Sequence, residues 1–142
     1  PSTVCRQPSK MFRKTITFSF LFFFASVIAL ANSQTAFSYE VLTFLHNIPF
    51  GDKIMHFLLV GTLAVVLNLY FCHKKVTIFS KKVLLGSLIT LIFITLEECS
   101  QYYIPNRNFE IMDMCCNYAG IFGMTQLFDI IKSSRFMPLQ PQ

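Results

Sequence analysis

Four long apolar runs decide which folds are open to this chain. They span residues 15–31, 54–72, 83–96 and 111–131. A hydrocarbon core of roughly 30 Å takes about 20 helical residues to cross, so the third run reaches that length only by continuing to residue 103. Backbone groups in lipid must be hydrogen-bonded within their own segment, which favours helices. The runs therefore predict transmembrane helices at about 15–31, 54–72, 83–103 and 111–131.

The composition also indicates a membrane environment. Apolar residues make up 54% of the chain and charged residues 13%, against about 25% charged residues in soluble domains. The sequence therefore predicts an all-α fold, an integral membrane bundle of four transmembrane helices within residues 15–131. Residues 1–14 are expected to form a basic N-terminal arm and residues 132–142 a tail.

A short fifth helix is expected between the first two runs. The apolar residues of the segment "AFSYEVLTFLHNIPFGDK" follow helical spacing, namely Val41, Leu42, Phe44, Leu45 and Ile48. Pro49 and Gly51 end the pattern. This segment is predicted to lie as an amphipathic helix on the outer membrane surface.

Lysine and arginine are distributed unevenly between the runs. Ten of them lie in the N-terminal arm, in residues 73–82 and in the tail, against only Lys53 and Arg107 elsewhere. Basic residues are enriched in cytoplasmic segments, so a multi-pass topology with both termini in the cytoplasm is predicted. The net charge of +5 is then explained by topology and by attraction to anionic membrane lipids. The sequence has no nucleic-acid-binding motif, and no nucleic acid partner is expected.

The first run has a second interpretation, because it resembles the core of a cleavable signal peptide. It has a basic start and ends in Ala29, Leu30 and Ala31. An uncleaved helix is favoured, since the run is slightly long for a signal core and leads into a loop. The chain begins with Pro1 and Met11 is an alternative start, so the status of residues 1–10 stays open.

Polar residues gather at the predicted outer ends of three helices. They are Asp52, Lys53 and His56 at the start of the second, Glu98 and Gln101 at the end of the third, Arg107 in the following connection, and Asp113 and Asn117 at the start of the fourth. A charge in a transmembrane segment costs a few kcal/mol or more unless it is paired or lines a wet cavity. An outward-facing polar pocket is therefore predicted. Ion pairs that only hold the helices together remain the alternative, and Gly120 and Gly123 are expected helix-packing positions.

The five cysteines are expected to act as small apolar residues. The neighbours Cys115 and Cys116, together with His56, raise the question of a metal site. Zinc sites favour Cys-x-x-Cys spacing instead. The sequence therefore predicts no metal and no cofactor.

The segments "GDKIMHFLLVGTL" and "EECSQYYIPNRNFEIMDMCCNYAGIFG" resemble the VanZ-like membrane family. The family pattern is Asp-Lys-x-x-His, then Glu-x-x-Gln, then Arg, Asp, Asn and Gly. It maps onto Asp52, Lys53, His56, Glu98, Gln101, Arg107, Asp113, Asn117 and Gly120. The resemblance implies a cell-envelope protein of the bacterial cytoplasmic (inner) membrane with a four-helix core, and a link to teicoplanin resistance through the founding member. Glu97 and the paired cysteines depart from the commonest form.

Three functions are consistent with these residues. The first is a binding module whose pocket recognises a lipid headgroup or a lipid-linked glycan intermediate of the envelope. The second is an enzyme, with His56 and Glu98 or Asp113 as acid and base and with Arg107 or Lys53 holding an anionic group. The third, an ion path, is disfavoured because the inner parts of the helices are nearly bare of polar groups. The binding module is preferred and the enzyme is the alternative. The ligand and the oligomeric state are left open.

Overall fold

The computed structural model describes residues 9–33, 35–103 and 109–134. Helices dominate this part of the chain. In chain order the elements are α1 (Lys10–Asn32), α2 (Ala36–Asn47), α3 (Gly51–Tyr70), β1 (Lys75–Ile78), β2 (Lys81–Leu84), α4 (Leu85–Gln101) and α5 (Ile111–Ser134). The mostly helical fold was predicted, including the short helix before the second apolar run. The prediction of an all-α chain is corrected by the two strands.

Two of the four predicted spans have the length and composition to cross a membrane. They are α1, with 23 residues, and α3, with 20 residues, and no other helix in the described ranges meets both conditions. Helix α4 has only 17 residues, fewer than the roughly 20 needed for a full crossing. It begins at Leu85 because the preceding residues, Lys81–Leu84, form β2. Two of these, Val83 and Leu84, were predicted to belong to the helix.

The two strands pair antiparallel as a hairpin, with Lys75 opposite Leu84 and Ile78 opposite Lys81. The turn between them consists of Phe79 and Ser80, both with positive φ, 45° and 66°. Two-residue hairpin turns of type I′ require positive φ at both central residues, which is why they usually contain asparagine or glycine. The sequence lacks that signal here, so the hairpin was not predicted.

Helix α3 lies at the centre of the bundle and contacts α1, α2, α4 and α5. The buried apolar core consists of Phe24, Val60, Leu63, Ala64, Ile94 and Ile121. Removing apolar side chains from water is the main favourable term in packing outside a membrane. Within lipid, close van der Waals contact and interhelical hydrogen bonds take that role.

Helices α3 and α5 run parallel and approach closely at their glycines. A Cβ atom added at Gly120 would overlap the backbone of Phe57, and one added at Gly61 would overlap the side chain of Met124. At Gly123 an added Cβ would lie 3.3 Å from the ring of Phe57. This contact aligns the first turns of the two helices, which carry most of the polar residues.

The other helices alternate in direction. The side chain of Asn68, near the end of α3, accepts from the backbone N–H of Ser87 at 3.0 Å, so α4 starts where α3 ends. Arg13 of α1 likewise bonds the sulfur of Cys72, just after α3. The C-termini of α1 and α4 therefore lie at the same end of the bundle as the N-termini of α3 and α5.

Candidate functional site at one end of the bundle

One end of the bundle collects most of the predicted polar residues. This polar end consists of Asp52, Lys53, His56, Glu97, Glu98, Gln101, Glu110, Asp113 and Asn117. The parallel packing of α3 and α5 brings Asp52 at the start of α3 close to Asp113 at the start of α5 and to Glu110 just before it. The C-terminal end of α4, which carries the remaining acids, packs beside them. Arg107, the remaining predicted residue, lies outside the described residues.

Lys53 joins the first turns of α3 and α5. Its ammonium group donates to Glu110 Oε2 at 2.7 Å, to Asp52 Oδ2 at 3.3 Å and to Asp113 Oδ1. The side chain of Asp113 is only 9% exposed, and that of Lys53 is 23% exposed. Carboxylates are also favoured in the first turn of a helix because the free backbone N–H groups carry partial positive charge. The lysine and the two helix N-termini together explain how three acids can lie within reach of one another.

His56 lies one turn deeper, on the same face of α3 as Asp52, as their spacing of four residues requires. Its Nδ1 is 3.1 Å from Asn117 Oδ1. Its Nε2 is 3.6 Å from Asp52 Oδ1 and 3.8 Å from Asp113 Oδ2. Each aspartate thus places one carboxylate oxygen near Lys53 and the other near the histidine.

Asn117 fixes the orientation of the histidine ring. Its amide nitrogen donates to Glu98 Oε2 at 3.5 Å, so its amide oxygen faces His56. An amide oxygen only accepts hydrogen bonds, so this contact is a hydrogen bond in the tautomer that carries the proton on Nδ1 of His56. The side chains of Asn117 and Glu98 are fully buried, at 0% exposure, so this chain of polar contacts lies inside the bundle.

Two members of the polar end were not among the predicted site residues. Glu97 Oε1 and Oε2 accept from Nε2 of Gln101 at 3.1 and 3.2 Å, and Glu110 bonds Lys53. The signal for Glu97 was its spacing of four residues from Gln101 on one helix face. Glu110 lies three residues before Asp113, and only the three-dimensional contact with Lys53 reveals its part.

A cleft between α1, α3 and α4 opens beside these side chains. It has a volume of about 100 Å³, and its polar lining consists of Asp52, His56, Glu97 and Gln101. Its other walls are apolar. A larger apolar cleft of about 620 Å³ lies along the same three helices and shares Phe24 and Ile28 with the first. The polar-lined cleft and the apolar cleft are thus neighbours that have two wall residues in common.

These features define a helical protein with a polar cluster at one end of an apolar bundle. The family model described as VanZ/LLP1 matches residues 3–132, nearly the whole chain. The chain belongs to the VanZ/LLP1 family, which confirms the resemblance seen in the sequence. Family membership and the two long apolar helices together indicate a membrane protein. Searches of the curated proteins and of the solved structures gave no match.

Proposed function

We propose that this protein binds the polar headgroup of a membrane lipid at its polar end. The observation that carries the proposal is that the polar-lined cleft and the apolar cleft share Phe24 and Ile28, because an amphiphile needs polar contacts at one end and an apolar surface beyond it. Asp52, His56, Glu97 and Gln101 would contact the headgroup. An acyl chain would lie along α1 and α4, where Phe24 and Phe93 approach with ring centroids 6.3 Å apart.

The charge of the cleft favours a particular headgroup chemistry. Asp52 and Glu97 provide carboxylate oxygens, which accept hydrogen bonds from hydroxyl or ammonium groups. A phosphate in the same position would meet these carboxylates, and the nearby ammonium of Lys53 is already bonded to three acids. The fitting ligand is therefore a hydroxyl-rich or amine-bearing headgroup. A lipid-linked glycan intermediate of the bacterial envelope has this chemistry, which would connect the protein to teicoplanin resistance.

The proposal places α1, α3, α4 and α5 across the bacterial cytoplasmic membrane, with both termini in the cytoplasm and the polar end outside. The alternating directions of the helices support this arrangement. The basic hairpin residues Lys75, Lys81 and Lys82 lie at the opposite end of the bundle from the acids, as cytoplasmic residues should. Local thinning of the bilayer would accommodate the short α4. Helix α2, with exposed Phe37 and Phe44, would lie on the outer surface.

An enzyme acting on a lipid headgroup is the second candidate. It is favoured by the fixed orientation of His56, whose Nε2 faces two carboxylates while Nδ1 is bonded to Asn117. A histidine held in this way is suited to exchange a proton with a bound group. His56→Gln should then abolish turnover and leave headgroup binding within a few-fold of wild type, whereas a binding module should show no turnover at all.

The test measures binding of the full chain, held in nanodiscs or detergent, to phosphatidylglycerol vesicles. The vesicles are used with and without a glycosyl diacylglycerol. We expect binding that requires the glycolipid and that falls at least tenfold in the variant Glu97→Gln with Gln101→Leu. Asp129→Asn, which removes an exposed acid from the other end of α5, is the matched control. Equal binding to both vesicles, or equal binding by both variants, would overturn the proposal.

A second experiment distinguishes binding of an intact lipid from binding of a free sugar. Free sugar identical to the glycolipid headgroup should compete weakly, because it lacks the acyl chain that would occupy the apolar cleft. Competition as strong as that of the intact lipid would contradict the role given to this cleft.

A further inference from the structure

Three atoms that could bind a metal ion meet between α3 and α5. Each of Asp52, His56 and Asp113 offers one possible ligand atom, and these three atoms lie within 4.8 Å of one another. The oxygens nearest to His56 Nε2 are Asp52 Oδ1 and Asp113 Oδ2. The two separations from His56 Nε2, 3.6 and 3.8 Å, exceed the usual range for a hydrogen bond. In a tetrahedral site with metal–ligand bonds of about 2.0 Å, two ligand atoms lie roughly 3.3 Å apart. The two separations in this protein are a few tenths of an ångström longer than that. A small closure around an ion would bring all three atoms into ligand positions.

The contact between His56 and Asn117 suits a metal-binding histidine. In the tautomer with the proton on Nδ1, that nitrogen donates to Asn117 and the lone pair of Nε2 is directed at the two aspartates. Metal-binding histidines commonly donate their other ring N–H to a neighbouring acceptor, which fixes the tautomer and the ring plane. Asn117 is itself fixed by its contact with Glu98. The ring therefore does not have to reorient when an ion binds.

The local charge also favours a divalent cation. Lys53 is bonded to Asp52, Glu110 and Asp113. When all four groups are ionised, this set carries two more negative charges than positive ones. One divalent ion would balance them. The lysine does not compete for the same atoms, since it bonds Asp52 Oδ2 and Asp113 Oδ1 while the candidate ligand atoms are the other oxygen of each aspartate.

We propose that Asp52, His56 and Asp113 bind one divalent transition-metal ion, Zn²⁺ or Mn²⁺, with at least one position left open to water or to an oxygen of a bound headgroup. One imidazole and two carboxylates suit these ions better than Mg²⁺ or Ca²⁺, which prefer oxygen ligands alone. The proposal departs from the sequence-based expectation of no metal, which considered His56 with the cysteines and not with the aspartates. It does not depend on lipid binding, because the ligands are all protein side chains.

The test uses the full chain purified in detergent with an affinity tag free of histidine. After EDTA treatment, the protein is dialysed against micromolar Zn²⁺ or Mn²⁺ and the bound metal is counted by mass spectrometry. We expect about one ion per chain for one of the two metals.

His56→Gln and Asp113→Asn should each weaken binding at least tenfold. His73→Gln, which changes a histidine stacked on Phe128 outside the cluster, and Asp129→Asn should bind as wild type does. Absence of stoichiometric binding in the wild type, or wild-type binding by the first two variants, would overturn the proposal.

A spectroscopic measurement on the wild type keeps the test valid if a ligand variant fails to fold. Co²⁺ bound by one imidazole and two carboxylates should give visible d–d bands with no thiolate charge-transfer band in the near ultraviolet. A strong thiolate band would assign the ion to one or more of the five cysteines and would overturn the proposal, as would the absence of any bound Co²⁺.

Discussion

The imidazole of His56 on α3 and the amide of Asn117 on α5 lie 3.1 Å apart, and their hydrogen bond joins two parallel helices at the base of the polar end. The amide continues to Glu98 on α4, so one buried side chain connects three helices. This connection positions His56 for either function considered for the site.

Replacing Asn117 with leucine should destabilise the protein and release the histidine. Leucine has nearly the size of asparagine but leaves a buried carboxylate and an imidazole without the amide, which costs about 1–3 kcal/mol. The midpoint of thermal unfolding in detergent should fall accordingly. Gln126→Leu, at an exposed amide on the same helix, should leave it unchanged. An Asn117→Leu protein as stable as the wild type would show that the buried contacts contribute little.

The glycines of α5 allow a graded test of helix packing. Gly120→Ala would place a methyl group into the backbone of Phe57, which cannot move without separating α3 from α5. Overpacking of this kind costs about 1–3 kcal/mol or more. Gly123→Ala meets only the edge of the Phe57 ring, which can shift, so the loss should be smaller. Unfolding measured for both variants under the same conditions checks the order, and an equal or reversed order would contradict the packing described.

Lys53 should contribute most to stability at low ionic strength. Lys53→Met removes the cation shared by Asp52, Glu110 and Asp113 and leaves their charges opposed, so we expect a loss of roughly 1–3 kcal/mol, below the value for a fully buried pair because the group is partly exposed. Dissolved salt screens the repulsion between partly exposed charges. The difference in unfolding midpoint from the wild type should therefore shrink as the ionic strength rises.

Lys81→Met is the control for this variant, because Lys81 is an exposed residue of the hairpin. It should show no such dependence on salt. A difference between Lys53→Met and wild type that is constant from low to high ionic strength would mean that the three acids do not repel one another when the lysine is absent.

Some of this architecture could be predicted because it is local. The spacing of Asp52 and His56 by four residues places both on one face of a helix whatever the helix packs against, and the apolar runs locate the long helices. The sharing of Lys53 among three acids depends on the offset between α3 and α5, and a single sequence does not specify that offset. The hairpin was missed because Phe79 and Ser80 adopt positive φ without the residues that usually signal it.

The proposed topology is tested by reporter fusions. Because ten of the twelve lysines and arginines lie on one predicted side, fusions after residues 78 and 142 should report a cytoplasmic location. A fusion within residues 103–108 should report the opposite side. A cytoplasmic signal from the last fusion would place the polar end inside the cell and would overturn the proposed access from outside.

Replacing Glu98 and Arg107 together by methionine separates a binding site from a structural contact. Glu98 is fully buried, Arg107 lies outside the described residues, and both belong to the polar pattern of the sequence. If these side chains only hold the helices together, apolar residues of similar size should replace them with little loss of stability, as often happens for buried ion pairs. If they support ligand binding, the double variant should reach wild-type abundance in the membrane and lose its effect on glycopeptide sensitivity. Wild-type sensitivity at equal abundance would contradict a functional role for both residues.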